Sequence, residues 1–199
     1  TRIGSSAASD VYKRQGWSSE FGYEMFLLNY DQGDKLYELL MQNGKNMGLH
    51  PGHTSTIRRI EGGMLSYHAD MDINTNPLEL GMDKFIDLDG DFDFIGKDAL
   101  IKIKESGIKN KQVGLTIDCK PFIGPNTRRW DIISNDAVNG YVTSAVYSPR
   151  LKQNIALAMI DINSSKIGTN LKVKIDENLV DAKIVTKPFF DPNKKIAKK

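Results

Sequence analysis

Cysteine is all but missing from this chain: Cys119 is the only one in 199 residues. A disulfide framework and a multi-cysteine zinc site are thereby excluded. No apolar run approaches the roughly 18 residues that a membrane-spanning helix needs. Neither sign of charge is in excess, with 27 Lys and Arg against 25 Asp and Glu. A nucleic-acid binder gathers its basic residues into a patch, whereas the Lys-rich cluster here is the tail Lys194, Lys195, Lys198 and Lys199. These absences lead to the expectation of a soluble, cytoplasmic protein that acts on neither nucleic acid nor membrane. What remains is ordinary globular material, 40% hydrophobic with a mean hydropathy of −0.39. That is enough for one large domain or two small ones.

Residues 1–15, TRIGSSAASDVYKRQ, are small and polar, and their lack of periodicity predicts no element. The stretch SSAASDVYKRQ resembles a translated sequencing adapter fused to a truncated reading frame, and such scars are left out of fold reasoning. On that reading the natural protein begins upstream, and part of its site is expected there.

From Gly16 onward the chain falls into two textures. Residues 16–108 read as an α+β portion. Residues 23–29, YEMFLLN, suit a strand. Leu36, Tyr37, Leu39, Leu40 and Met41 suit an amphipathic helix, with Asp31 or Asp34 near its start and Gly44 near its stop. Residues 54–62 suit a second helix capped by Thr54 or Ser55 and ended by Gly62-Gly63; residues 97–105 suit a third. Residues 111–191 alternate short strand-like runs (113–117, 131–134, 141–147, 155–162, 171–175, 182–185) with turn signals such as Asn139-Gly140 and Ser148-Pro149. That spacing predicts a small antiparallel β-barrel. Residues 192–199 are a solvated basic tail.

Single residues carry little chemistry by themselves. His50, His53 and His68 form no helical metal pair, since Pro51 and Gly52 interrupt the first two. Cys119 lacks a CxxC neighbour and reads as a small packed side chain. Ser18, Ser19 and Ser148 have no partner visible in the sequence. Asp87, Asp89, Asp91 and Asp93 offer oxygens to a calcium ion, but without the spacing of an EF-hand loop they read as a solvated acidic loop.

Five strings are more informative in combination: GWSSEFGYE (16–24), RRIEGGMLSYHADMD (58–72), NPLELGM (76–82), FIGKDAL (94–100) and GYVTSAVYSPRLKQNIALAMID (140–161). In order and spacing they resemble the C-terminal half of the T-protein (aminomethyltransferase) superfamily of tetrahydrofolate-dependent enzymes. The resemblance implies part of a ferredoxin-like folate-binding α+β domain followed by a small C-terminal antiparallel β-barrel. It implies tetrahydrofolate as cofactor, with Glu24 at the aminopyrimidine edge of the pterin, where an acceptor-only carboxylate receives paired N–H donors. Arg59 corresponds to the arginine facing the folate site or an active-site carboxylate. Pairing of Arg59 with Glu61 along the helix is poor, because residues two apart point to different faces. Tyr67 corresponds to the tyrosine beside the cofactor, with a buried core tyrosine as the alternative. Arg128, Arg129 and Trp130 lie in the barrel half, where the family often carries an arginine near the open end of the folate cavity without a register that singles out one of them, and residues 94–97 close the central region onto the next helix.

Trp17 and the string IRRIEGGMLSYHADM are more similar to the dimethylsulfoniopropionate demethylase branch. That resemblance implies methyl transfer from a sulfonium to N5 of tetrahydrofolate, with Trp17 and Tyr23 holding the cation by their ring faces. The alternative is aminomethyl transfer in the glycine cleavage system, with a lipoyl carrier protein as partner. A further alternative is a non-catalytic folate-binding relative. In each enzyme reading the catalytic acid lies upstream of Gly16, and this stretch by itself is expected to be inactive.

Overall fold

Alternation decides the C-terminal half. In NLKVKI and NLVDAKIV the apolar Leu171, Val173, Ala182 and Ile184 are buried, while Lys172, Lys174, Asp181 and Lys183 between them face water. A period of two is what a sheet with one buried face requires. The computed structural model describes residues 4–5, 17–23, 25–53, 55–134, 136–193 and 195–196.

In chain order the elements are β1 (Gly4–Ser5), β2 (Met25–Phe26), α1 (Gly33–Gly44), α2 (Thr56–Glu61) and α3 (Lys97–Ser106). They continue with β3 (Asn110–Asp118), β4 (Trp130–Ser134), β5 (Ala137–Ser148), β6 (Gln153–Asp161), β7 (Asn170–Ile175) and β8 (Asn178–Val185). Strands β3 to β8 close into an antiparallel barrel in the order β3-β6-β5-β4-β7-β8, with β8 returning to β3. The expected α+β portion followed by a small barrel is the architecture found. Closure leaves the barrel no open edge.

The core has two compartments. Inside the barrel lie Leu115, Ile132, Val142, Ala156, Ala158, Ile160, Val173 and Ile184 among others. Outside it, Val146, Ile155 and Leu157 pack against Ile60 of α2. Helix α2 therefore covers β5 and β6, which accounts for the unbroken apolar run 155–160: both faces of β6 are buried. After β8 the chain returns to α2, where the Phe189 and Phe190 amides donate to the Glu61 carbonyl at 2.8 and 3.0 Å.

The first fifty residues depart from expectation. Among the described residues of the anticipated strand 23–29, only Met25–Phe26 is paired as a strand. Its partner is Gly4–Ser5, inside the segment expected to form nothing. Both β2 side chains are exposed, as are Trp17, Leu28, Tyr30, Tyr37, Leu39 and Met47. Apolar spacing alone does not make a strand or bury a helix face; that takes an opposing surface, and among the described residues these side chains have none large enough to cover them. Within the described residues, no helix is long and apolar enough to cross a membrane.

Candidate functional site

Helix α2 is six residues long and starts where Ser55 caps it, its side chain accepting from the Arg58 amide. Such a short helix depends on tertiary contacts. Its last three residues, Arg59, Ile60 and Glu61, are all buried. Ile60 enters the outer core, so the two charged residues on either side of it leave in different directions.

Arg59 turns toward the loop 64–72 and strand β5. Its Nη1 donates to Asp70 Oδ2 at 2.8 Å and to the Met64 carbonyl at 3.2 Å; its Nη2 donates to Ser144 Oγ at 2.8 Å. Asp70 is satisfied on both oxygens. Oδ2 also accepts from the Ser66 amide at 2.9 Å, and Oδ1 accepts from Thr143 Oγ1 at 2.5 Å and Ser144 Oγ at 2.7 Å. Consecutive strand residues normally point to opposite faces. Here the β5–β6 register shifts between Val142 and Ser144, and this bulge aims both hydroxyls at one carboxylate. A buried ion pair costs desolvation and repays it only when all its hydrogen bonds are met. This one meets them, and it ties α2, the loop and the barrel together.

Glu61 leaves on another side. Its Oε1 accepts from Ser148 Oγ at 2.5 Å, and its Oε2 lies 3.7 Å from Arg150 Nη1. Arg150 Nη2 reaches Glu20 Oε1 at 2.6 Å, and its guanidinium lies 3.9 Å from the Phe190 ring centroid. One side chain thus joins residues 17–23, α2 and the returning C-terminal segment. Ser148, for which the sequence offered no partner, is fully buried and holds the Ser148-Pro149 turn by accepting from the Leu151 amide at 3.1 Å.

The residues singled out in the sequence are only partly brought together. Trp17 is 42% exposed, with Arg59 Cζ 6.0 Å from its ring centroid. Tyr67 is 54% exposed and stacks edge-on against His68 at 4.4 Å; the buried-core alternative is overturned, because the tyrosine rides the outer turn of the Asp70 loop. Tyr23, 59% exposed, sits edge-on to Phe21 at 5.1 Å. Glu24 and Thr54 lie outside the described residues. Arg129 stacks over Tyr141 at 4.5 Å and stands 4.0 Å from Asp72 Oδ2, while Arg128 pairs with Asp176. Asp70, Thr143 and Ser144 were missed as a unit, although each stands inside a quoted string. The signal was an acid eleven residues after the arginine and two adjacent hydroxyls set between the apolar Val142 and Ala145.

Other candidates resolve into structure. Lys97 Nζ donates to the Gly90 and Phe92 carbonyls at 2.6 and 2.8 Å, so an ammonium occupies the acidic loop where a metal ion was weighed. Among the described residues there is no group of three or more His, Cys, Asp or Glu placed to hold a metal. Burial, then Asp118, pushes the Cys119 thiol pKa up, away from nucleophilic use. Ser19, at φ 56°, lies directly over Gly62; a Cβ there would stand 1.8 Å from its Oγ.

Comparison with known proteins agrees with this architecture. Residues 5–90 match the GCVT N-terminal domain family, and residues 110–191 match the glycine cleavage T-protein C-terminal barrel domain family. A protein named aminomethyltransferase from Caldanaerobacter subterraneus subsp. tengcongensis is 36% identical over 190 residues, covering 93% of this chain and 49% of the relative. Another of that name, from Alkaliphilus oremlandii, is 33% identical over 188 residues, covering 93% and 50%. The chain thus spans about half the length of the curated relatives it matches. The crystal structure of glycine cleavage system aminomethyltransferase T from Bartonella henselae superposes with a TM-score of 0.78 at 19% identity. It covers 88% of this chain and 48% of that one, a likeness of fold.

Proposed function

This chain belongs to the glycine cleavage T-protein superfamily, and we propose that it is the C-terminal portion of a tetrahydrofolate-dependent one-carbon transferase of the aminomethyltransferase kind. One observation carries this reading: both portions of the chain match T-protein domains in order, and relatives bearing the aminomethyltransferase name align along 93% of it. The sulfonium reading taken from Trp17 finds no support among those relatives, so dimethylsulfoniopropionate gives way to an aminomethyl-loaded lipoyl carrier protein as the proposed donor.

In this reading tetrahydrofolate, when bound, supplies N5 as acceptor of the one-carbon unit. Glu24 is assigned to its pterin edge, and Tyr67 to a ring contact. The fit rests on the exposed aromatic face of Tyr67 beside a floor that is already fully bonded. Arg59 spends its Nη1 and Nη2 bonds on that floor, so its part is positioning: it holds the loop that carries Tyr67. Trp17 and Tyr23 are assigned to the donor side. The acid that acts on N5 is assigned to an upstream half. Holding two reactants in line is worth several kcal/mol, and such a floor serves that purpose.

The test uses a polypeptide that carries both halves. It is incubated with tetrahydrofolate and the aminomethyl-loaded lipoyl carrier, and separately with tetrahydrofolate and dimethylsulfoniopropionate. Methylenetetrahydrofolate and ammonia in the first reaction are the expected products. Turnover only in the second, to 5-methyltetrahydrofolate and methylmercaptopropionate, reverses the assignment.

A further inference from the structure

Residues 17–20 form a tight bend in which Ser19 takes a φ of 56°. The bend sits astride α2. The Trp17 ring centroid stands 6.0 Å from Arg59 Cζ, and Ser19 lies over Gly62. Glu20 meets Arg58, which stands one residue and about 100° around the helix from Arg59. Where the bend rests on α2 therefore decides where the Trp17 ring is held.

The Arg58 contact is a weak tether. Its Nη1 is 3.4 Å from Glu20 Oε1 and its side chain is 49% exposed, and ion pairs of that kind are worth little in water. Arg150 is placed differently. Its Nη2 donates to the same Oε1 at 2.6 Å, its Nη1 lies 3.7 Å from Oε2 of the buried Glu61, and its guanidinium carbon lies 3.9 Å from the Phe190 ring centroid. A planar fork can face two acids and a ring together, which an ammonium cannot. Glu20 and Glu61 are like charges gathered on this one cation, and without it they repel. Glu61 is fixed in α2 and accepts from Ser148 Oγ at 2.5 Å, so the bend is the partner that would leave.

We propose that Arg150 is a positioning residue: through Glu20, 130 residues away in sequence, it fixes the bend 17–20 on α2 and so holds the Trp17 ring beside Arg59, ready for the one-carbon donor. The role in transfer rests on the assignment of Trp17 to the donor side. The clamp itself does not.

The chain has two tryptophans, Trp17 and Trp130, so labelling with 5-fluorotryptophan gives two fluorine resonances, and Trp17→Phe tells them apart. Trp130 opens β4 and reports on the barrel. In Arg150→Met the Trp17 resonance should move most of the way to its position in urea, with the Trp130 resonance in place. Glu20→Ala, which leaves Arg150 beside Glu61, should do the same, and Arg58→Met should move it less. A Trp17 resonance that stays put in Arg150→Met and Glu20→Ala overturns the clamp. Should Arg150→Met shift both resonances, the fold is lost and Glu20→Ala decides alone. In a polypeptide that carries both halves, Arg150→Met should raise KM for the aminomethyl-loaded carrier roughly tenfold, the worth of one desolvated cation–ring contact. The value of kcat should change much less, because the ring binds the donor and does not react, and Arg150→Lys should recover only part of the loss. An unchanged carrier KM in a variant whose Trp17 resonance has moved overturns the role in transfer. A parent polypeptide without turnover overturns the one-carbon reading instead, and the clamp is then judged by the fluorine resonances.

Discussion

Arg59 and Asp70 are 11 residues apart in sequence and 2.8 Å apart in the fold, with side chains 8% and 0% exposed. Removing one member leaves the other charged and buried. Asp70→Ala should therefore cost about 3–5 kcal/mol in urea unfolding. The double change Arg59→Met with Asp70→Leu should recover part of that loss, since an apolar pair strands no charge. Recovery will be incomplete, because Ser66, Thr143 and Ser144 lose the carboxylate they share. A cost under about 1 kcal/mol for Asp70→Ala would place the pair in the class of weak surface bridges instead.

Ser19 and Gly62 make a second contact that one methyl group would abolish. A Cβ on Gly62 would fall 1.8 Å from Ser19 Oγ and 2.4 Å from Ser19 Cβ. Gly62→Ala should displace residues 17–23 and leave the barrel intact, read as increased protease cleavage near Trp17 with unchanged far-ultraviolet circular dichroism. Ser19→Gly removes the opposing atoms and suits the φ of 56°, so the double variant should restore protection. Equal protection in Gly62→Ala alone would disprove the contact.

The barrel was readable because its information is local: alternation in β7 and β8, a continuous apolar run in β6, and glycine or proline at the turns. The Ser55 cap and the Gly62-Gly63 stop were equally local. The site was not. Arg59 stood out by its string, but its partner is set by the loop closure in which the Asp70 amide donates to the Ser66 carbonyl at 2.8 Å. Thr143 and Ser144 share a target only because of a bulge, which leaves no periodicity to detect. Among its described residues the strand expected at 23–29 is paired only at Met25–Phe26, for the converse reason: its pattern presumes an opposing surface that the described residues do not supply.

Lys187 should leave a mark on stability against pH. Its folded pKa is lowered to about 8 by burial, from an ordinary value of 10.5. Between those values the unfolded chain binds more protons than the folded one, so this group makes stability rise with pH. Below about 8 both states are protonated and the burial penalty is fully present; above about 10.5 it has vanished. Lys187→Met should therefore be more stable than the parent at pH 7, with the gap closing toward pH 10.5 in parallel urea titrations. A gap independent of pH would mean that the ammonium is solvated in the native state.

Glu24 and Arg59 are assigned different duties toward folate, and two variants of the longer polypeptide separate them. Glu24→Gln keeps the shape but gives up the charge, so tetrahydrofolate affinity should fall by roughly 1.5–3 kcal/mol, the worth of a hydrogen bond to a charged group. The melting temperature should not move. Arg59→Lys keeps the charge but loses the fork, and one ammonium cannot serve Asp70, the Met64 carbonyl and Ser144 in the same geometry. It should lower the melting temperature and the affinity together, because the floor that carries Tyr67 loosens. Calorimetry with tetrahydrofolate and thermal unfolding read both quantities. Unchanged affinity in Glu24→Gln removes that carboxylate from the site, and lost affinity with unchanged melting in Arg59→Lys makes the guanidinium a direct ligand of folate instead of a support.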